Sequence, residues 1–278
     1  MTDSPPSELV ETDEISLPLC RRMAAFADQD PQALSLGDDF PLTWIPVLFP
    51  SLARQSDIGA DGHARKGEFL PDLGLPRRRF AGRELELLRP MQIGEQLTRR
   101  STIHDVTEKV GRSGPMAFVT LLHETSGEAG IAYREHQRLV YLAAADEAPA
   151  PSAPKPQPQM PEPLWQRTTR FGMVDLFRYS ALTYNAHRIH YDLDYTLKVE
   201  GYPGLVVNGG LTTLSLLELA REAIGRPLGG YRMKALTPLF EGEDVHLCGA
   251  PSEAGATVWA RGHDGRLAMT LEVWALPG

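Results

Sequence analysis

Cysteine is scarce: Cys20 and Cys248 are the two in 278 residues, too few for a disulfide framework and without metal-ligand spacing. The expected setting is therefore reducing, the cytoplasm. Long hydrophobic runs are missing too, since none approaches the ~18–20 residues of a membrane span. The opening MTDSPPSELVETDE lacks the basic start and apolar stretch of a secretion signal. Basic residues are outnumbered, 28 Lys and Arg against 36 Asp and Glu for a net charge of −8. No basic run exceeds the Arg77–Arg79 triplet, so neither nucleic acid nor a membrane is an expected partner. There is no dinucleotide-binding glycine fingerprint and no phosphate-binding loop, so no nucleotide cofactor is expected. What remains is a globular chain, 42% hydrophobic, long enough for one large domain or two ordinary ones.

Residues 143–163, AAADEAPAPSAPKPQPQMPEP, replace any apolar period with alanine and proline, which suits an extended spacer and neither a helix nor an inner strand. They divide the chain into halves 1–142 and 164–278. The halves resemble each other. LRPMQIGE at Leu88–Glu95 returns as LTPLFEGE at Leu236–Glu243, and each copy leads into strand-like segments. These are LTRRSTIHDV, MAFVTLLHE and YREHQRLVYL in the first half, and DVHLCGA, ATVWARG and RLAMTLEVWA in the second. In the last, Leu267, Met269, Leu271 and Val273 alternate as a half-buried strand does. Ahead of its strands the second half has LTTLSLLELAREAIG, Leu211–Gly225, apolar round most of its circumference and so a buried helix, with Gly225 able to end it. The first-half counterpart, Trp44–Ser56, is broken by Pro46 and Pro50. An antiparallel sheet wrapped round one central helix, occurring twice, is an α+β double hot-dog with a degenerate N-terminal copy.

Chemistry concentrates in the second half. A short helix should precede YNAHRIHYD, residues 184–192, and stop near Asn185. GYPGLVVNGG, residues 201–210, then delivers two glycines to the start of the buried helix. There the first N–H groups lack intrahelical partners and can hold a carbonyl or enolate oxygen. A lone histidine near apolar sequence is more often structural. Here, however, candidate proton carriers, His187 and His190, stand beside a candidate oxyanion hole at Gly209 and Gly210.

RYSALTYNAHRIHYD followed by YPGLVVNGG resembles the hydratase-2 motif of MaoC-like hot-dog enoyl-CoA hydratases and dehydratases, in which an aspartate and a histidine five residues later act on a thioester. DGHARKGEFLP, RRRFAGRELELLRP, EKVGRSG and REHQRLVY extend the resemblance to a two-domain subgroup that includes mesaconyl-C4-CoA hydratase, itaconyl-CoA hydratase and 3-hydroxyacyl-thioester dehydratase type 2. The resemblance implies His190 as the catalytic histidine, with Asn185 at the aspartate position, where an amide can orient water but cannot take its proton. Asn208 stands where the pattern has histidine. His187 and Asp192 are expected to support the loop, and Arg188, Asn208 and Tyr184 to be candidates for substrate or CoA contact. The implied reaction is reversible hydration of a short unsaturated dicarboxylic acyl-CoA, which needs no metal and no cofactor, CoA being part of the substrate, with arginines reading the second carboxylate. A linear-chain 3-hydroxyacyl-thioester dehydratase would instead need an apolar tunnel without a buried arginine. A non-catalytic acyl-CoA-binding hot-dog would make His190 dispensable. The first half is expected to serve as scaffold and channel wall. A homodimer is compatible with the sequence, which contains no pattern requiring one.

Overall fold

The computed structural model describes residues 8–65, 69–75, 77–111, 114–143 and 157–276. In the first half β1 (Glu8–Glu14) and α1 (Leu17–Phe26) precede 3-10 turns at Pro31–Ala33, Leu42–Val47 and Gln55–Asp57. Strands β2 (Arg77–Leu87), β3 (Gln96–Gly111), β4 (Gly114–Gly127) and β5 (Gly130–Leu142) follow. The second half runs β6 (Trp165–Arg170), α2 (Met173–Leu182), α3 (Leu193–Lys198), α4 (Gly209–Ile224), β7 (Leu228–Ala235), β8 (Asp244–Ser252), β9 (Gly255–Arg261) and β10 (Leu267–Ala275). Most of the Ala/Pro-rich spacer, 144–156, lies outside the described residues. Just beyond it, Gln157 Oε1 accepts the Leu267 amide at 2.9 Å.

All ten strands join in one sheet, in the order β1-β3-β4-β5-β2-β7-β10-β9-β8-β6. Read from either end, that order is the same once β1 is exchanged for β6, β2 for β7 and so on, which is the double hot-dog symmetry. The axis falls between β2 and β7. Glu84 pairs in register with Arg232, and each stands four residues ahead of its own copy of the Leu-x-Pro frame. A two-fold axis in a homodimer would set a residue against its own copy there, and like charges directly opposite repel. Within one chain the two positions differ. Arg232 grips Glu84 with Nε at 2.8 Å and Nη2 at 3.0 Å.

α4 is the buried centre of the second half. Leu214, Leu216, Leu217 and Ala220 pack on Met233, Leu247, Val258, Leu271 and Val273, and the helix ends at Gly225 in the left-handed conformation. In the first half this place is taken by the 3-10 turn at Leu42–Val47, which contains Pro46, a residue without the N–H that an α-helix would need there. The sheet beneath it is changed to match. Strand register places Arg83 where the second half has Tyr231, Arg99 for Leu247, His123 for Val258, Glu135 for Leu271 and Gln137 for Val273. A surface covered by a helix must be apolar; this one is not.

The pair on the pseudo-axis yields a direct test. Glu84→Arg, which sets a third guanidinium beside those of Arg232 and Arg138, should lower stability by about 1 kcal/mol. Adding Arg232→Glu should restore most of it in a urea titration, whereas additive losses would refute a role for charge pairing there.

Candidate active site

α2 begins at Gly172, whose N–H donates to Asp175 Oδ2 at 2.8 Å, and buries Leu176 and Tyr179. Past Leu182 the chain turns through Tyr184 at φ 51°, and its side chain is exposed. Asn185 Oδ1 accepts the His187 amide at 3.0 Å, so this side chain shapes the turn. His190 lies in the next turn, 7% exposed, with Nδ1 2.7 Å from the Val206 carbonyl. Val206 N–H in turn donates to Ile189 O at 2.9 Å, which stitches the motif to the segment leading into α4. A carbonyl can only accept, so Nδ1 carries the hydrogen and Nε2 is free to take a proton. Burial lowers the His190 pKa to about 4, while the Val206 hydrogen bond opposes the shift.

Asn208 caps α4 by position but not by its side chain, whose Nδ2 donates to Ser180 Oγ at 3.1 Å. It is buried, and its Oδ1 has no partner among the described residues. The first amides of α4, including Gly209 and Gly210, thus have no side-chain cap. The two glycines differ. A Cβ on Gly209 would make ordinary contact with Met269, whereas on Gly210 it would strike the Tyr179 hydroxyl.

Arg188 has its donors engaged within the chain. Nε and Nη2 bind Asp192 Oδ2 at 3.0 and 2.7 Å, Nη1 binds Ala60 O at 3.0 Å, and the guanidinium lies 4.1 Å from the Tyr195 ring centre. Asp192 also caps α3 through the Tyr195 amide. Arg188 is a clamp between the halves, because its own N–H binds Asp61 O at 2.9 Å. Beside that clamp Asp61 Oδ2 lies 3.1 Å from His63 Nδ1. The His63 ring centre is 4.1 Å from that of His187, which is 5.5 Å from that of His190. Burial, with His63 next, lowers the His187 pKa to about 3.

In the sequence DGHARKGEFLP stands out only by its resemblance to the two-domain subgroup. Asp61 and His63 lie far from the motif in the chain and show no periodicity, so only docking of the two halves reveals them. The same holds for a cavity of about 250 Å³ in the first half, lined by Ile45, Phe49, Arg83, His123, Glu135 and Gln137. Arg83 Nε is 2.7 Å from Glu135 Oε1, and His123 lies between Ser101 Oγ at 2.7 Å and Gln137 Oε1 at 3.1 Å. Arg99 is committed to Glu11 at 2.6 Å. Tyr179 backs on Gly210, and burial raises its pKa while the Arg83 charge opposes the rise.

Two outcomes follow from this geometry. The unfolded chain carries His190 near its ordinary 6.5 and the folded chain near 4, so the unfolded state binds more protons between those values. This contribution, on the order of 3 kcal/mol, is complete above about pH 6.5 and is lost as pH falls toward 4. A His190→Gln variant should therefore show a shallower acid loss of stability by calorimetry, and an identical slope would contradict the buried neutral ring. Gly210→Ala should lower the melting temperature through Tyr179, while Gly209→Ala should leave it nearly unchanged.

The hydroxyacyl-thioester dehydratase type 2 family model matches residues 44–241. Mesaconyl-C4-CoA hydratase of Chloroflexus aurantiacus is 38% identical over 272 residues, 96% of this chain and 94% of that protein. The crystal structure of HtdX from Mycobacterium tuberculosis superposes with a TM-score of 0.70 at 19% identity, covering 98% of this chain and 100% of that one. A second protein of M. tuberculosis, with a double hot-dog fold, superposes at 0.59 and 15% identity over 97% of this chain and 95% of its own. No helix among the described residues is long and apolar enough to cross a membrane. The chain belongs to the hydroxyacyl-thioester dehydratase type 2 family, MaoC-like acyl-thioester hydratases and dehydratases on a double hot-dog.

Proposed function

We propose that this enzyme reversibly hydrates a short unsaturated dicarboxylic acyl-CoA, of itaconyl-CoA or mesaconyl-C4-CoA type, to a citramalyl-CoA-type 3-hydroxyacyl-CoA. The observation that carries the choice of substrate is Arg83, a largely buried cation that lines a polar cavity with Glu135. A linear acyl chain asks for an apolar channel, because leaving a buried charge against methylenes costs its hydration without return. A carboxylate gives the guanidinium a second anionic partner. The relation to mesaconyl-C4-CoA hydratase supports the same reading.

In this mechanism His190 Nε2 takes a proton from the water that adds to C3. Asn185 stands in the turn beside it, and charge gathering on the thioester oxygen is met by the N–H of Gly209 or Gly210. Loss of one such donor typically costs about 2.7–4 kcal/mol in other enzymes. The chemistry asks for no cofactor beyond the CoA of the substrate, and one site per chain is enough.

A mass-spectrometric assay for the gain of one water should show preference for itaconyl-CoA or a mesaconyl-CoA over crotonyl-CoA and a medium-chain enoyl-CoA. The double variant Arg83→Gln with Glu135→Gln, which leaves no lone buried charge, should cut kcat/KM on the dicarboxylic substrate about tenfold or more and spare crotonyl-CoA. Preference for linear chains would move the protein to the fatty-acyl dehydratases. Unchanged turnover by folded His190→Ala would reject the proton carrier.

A further inference from the structure

Hydration moves two protons, one off water and one onto C2, and where the resembling motif pairs its histidine with a carboxylate this chain has Asn185. Asn185 does not titrate, and its Oδ1 is occupied by the His187 amide. His190 has one ring nitrogen tied to Val206, and burial makes a proton on the other costly to keep. Such a proton has to move on. Asp192 cannot receive it, being bound to Arg188 and to the Tyr195 amide.

Beside the motif stands an aspartate–histidine pair from the other half. Asp61 takes the His63 amide on Oδ1 at 3.0 Å and faces His63 Nδ1 with Oδ2 at 3.1 Å, which fixes the ring and leaves Nε2 free. The hydrogen bond from His63 holds the Asp61 carboxyl well below the usual range. Both side chains are open to solvent, 45% for Asp61 and 39% for His63. His63, His187 and His190 form a row of imidazoles that runs from this open pair to the buried ring. The loop bearing the pair is pinned there: Arg188 binds Ala60 O and Asp61 O, and Gly62, at φ +92°, sits so close to the Ala186 carbonyl that no side chain fits.

We infer that Asp61 and His63 are the second proton-transfer element of this site, in place of the carboxylate that Asn185 lacks. This rests on the hydration reading above. As the water oxygen bonds to C3, its O–H bond breaks and that proton goes to His190 Nε2, while the C2–C3 π pair moves toward the thioester oxygen. The enolate pair then returns to bond C2 to the proton of the His63 imidazolium, whose charge Asp61 offsets. His187 accepts the His190 proton on one ring nitrogen and releases the proton of the other to His63. A turn of the His187 ring then returns it to its starting tautomer, so all three rings are restored and no net proton is gained or lost.

The test is kinetic, on whichever enoyl-CoA the wild type hydrates fastest. His63→Ala should lower kcat about 100-fold with KM nearly unchanged, in the range seen for general acids and bases. Asp61→Asn, which keeps the turn, should lower kcat about tenfold. Asn185→Asp added to His63→Ala should recover at least about tenfold, a rescue that a purely structural loop would not show. Unchanged kcat in folded His63→Ala overturns the inference, as does a loss that Asn185→Asp leaves in place. Activity abolished by a chelator and restored by zinc alone would also overturn it, since Asp61, His63 and His187 bring ligand atoms within 4.8 Å of one another. If the wild type hydrates nothing in the panel, the hydration reading itself fails, a result distinct from an unaffected variant.

Discussion

The antiparallel pairing of β2 with β7 is the constraint on which the rest of the molecule depends. It closes two inner sheet edges that would otherwise present unpaired N–H and C=O groups, leaving the short β1 and β6 as the outer edges. It also frees each half from being a copy of the other. Two identical subunits about an axis would each need both the helix and the polar floor. Within one chain the second half keeps α4 and the motif, while the first gives up its helix for a cavity. The Glu84–Arg232 pair on the axis shows that asymmetry at its smallest scale.

The site follows the same division. The second half supplies a neutral, buried His190 and the open amides of α4. The first half reaches across with Asp61 and His63, held by the Arg188 clamp, and carries Arg83 in its own polar cavity. Arg188 therefore acts by what it holds. Gly210 owes its lack of a side chain to Tyr179, whereas Gly209 is under no such pressure. In this arrangement burial does chemical work: it keeps His190 unprotonated at neutral pH and strengthens every charge interaction near it.

Much of the fold was legible because its signals are local. The alternation of Leu267, Met269, Leu271 and Val273 became β10, and Leu211–Gly225 differs from α4 by two residues at its start. β2 and β7 were not legible. RRRFAGRELEL carries charges at positions that face the cavity or the axis, so it reads as a surface although it lies at the centre of the sheet. β1 and α1 escaped notice because their short runs pack chiefly against residues remote in the chain. In α2, Val174 and Phe177 lie exposed, and Leu176 and Tyr179 carry the buried face.

By itself the sequence determined the duplication, the central helix with its stop at Gly225, and the motif that puts His190 beside two glycines, because each is written in neighbouring residues. Only the tertiary structure decided what surrounds them. Docking of the halves brought Asp61 and His63 to His187, tied up Arg188, and assembled the cavity around Arg83 from one turn and several strands. Those contacts join residues far apart in the chain, and no local pattern encodes a distance that only the closed sheet creates.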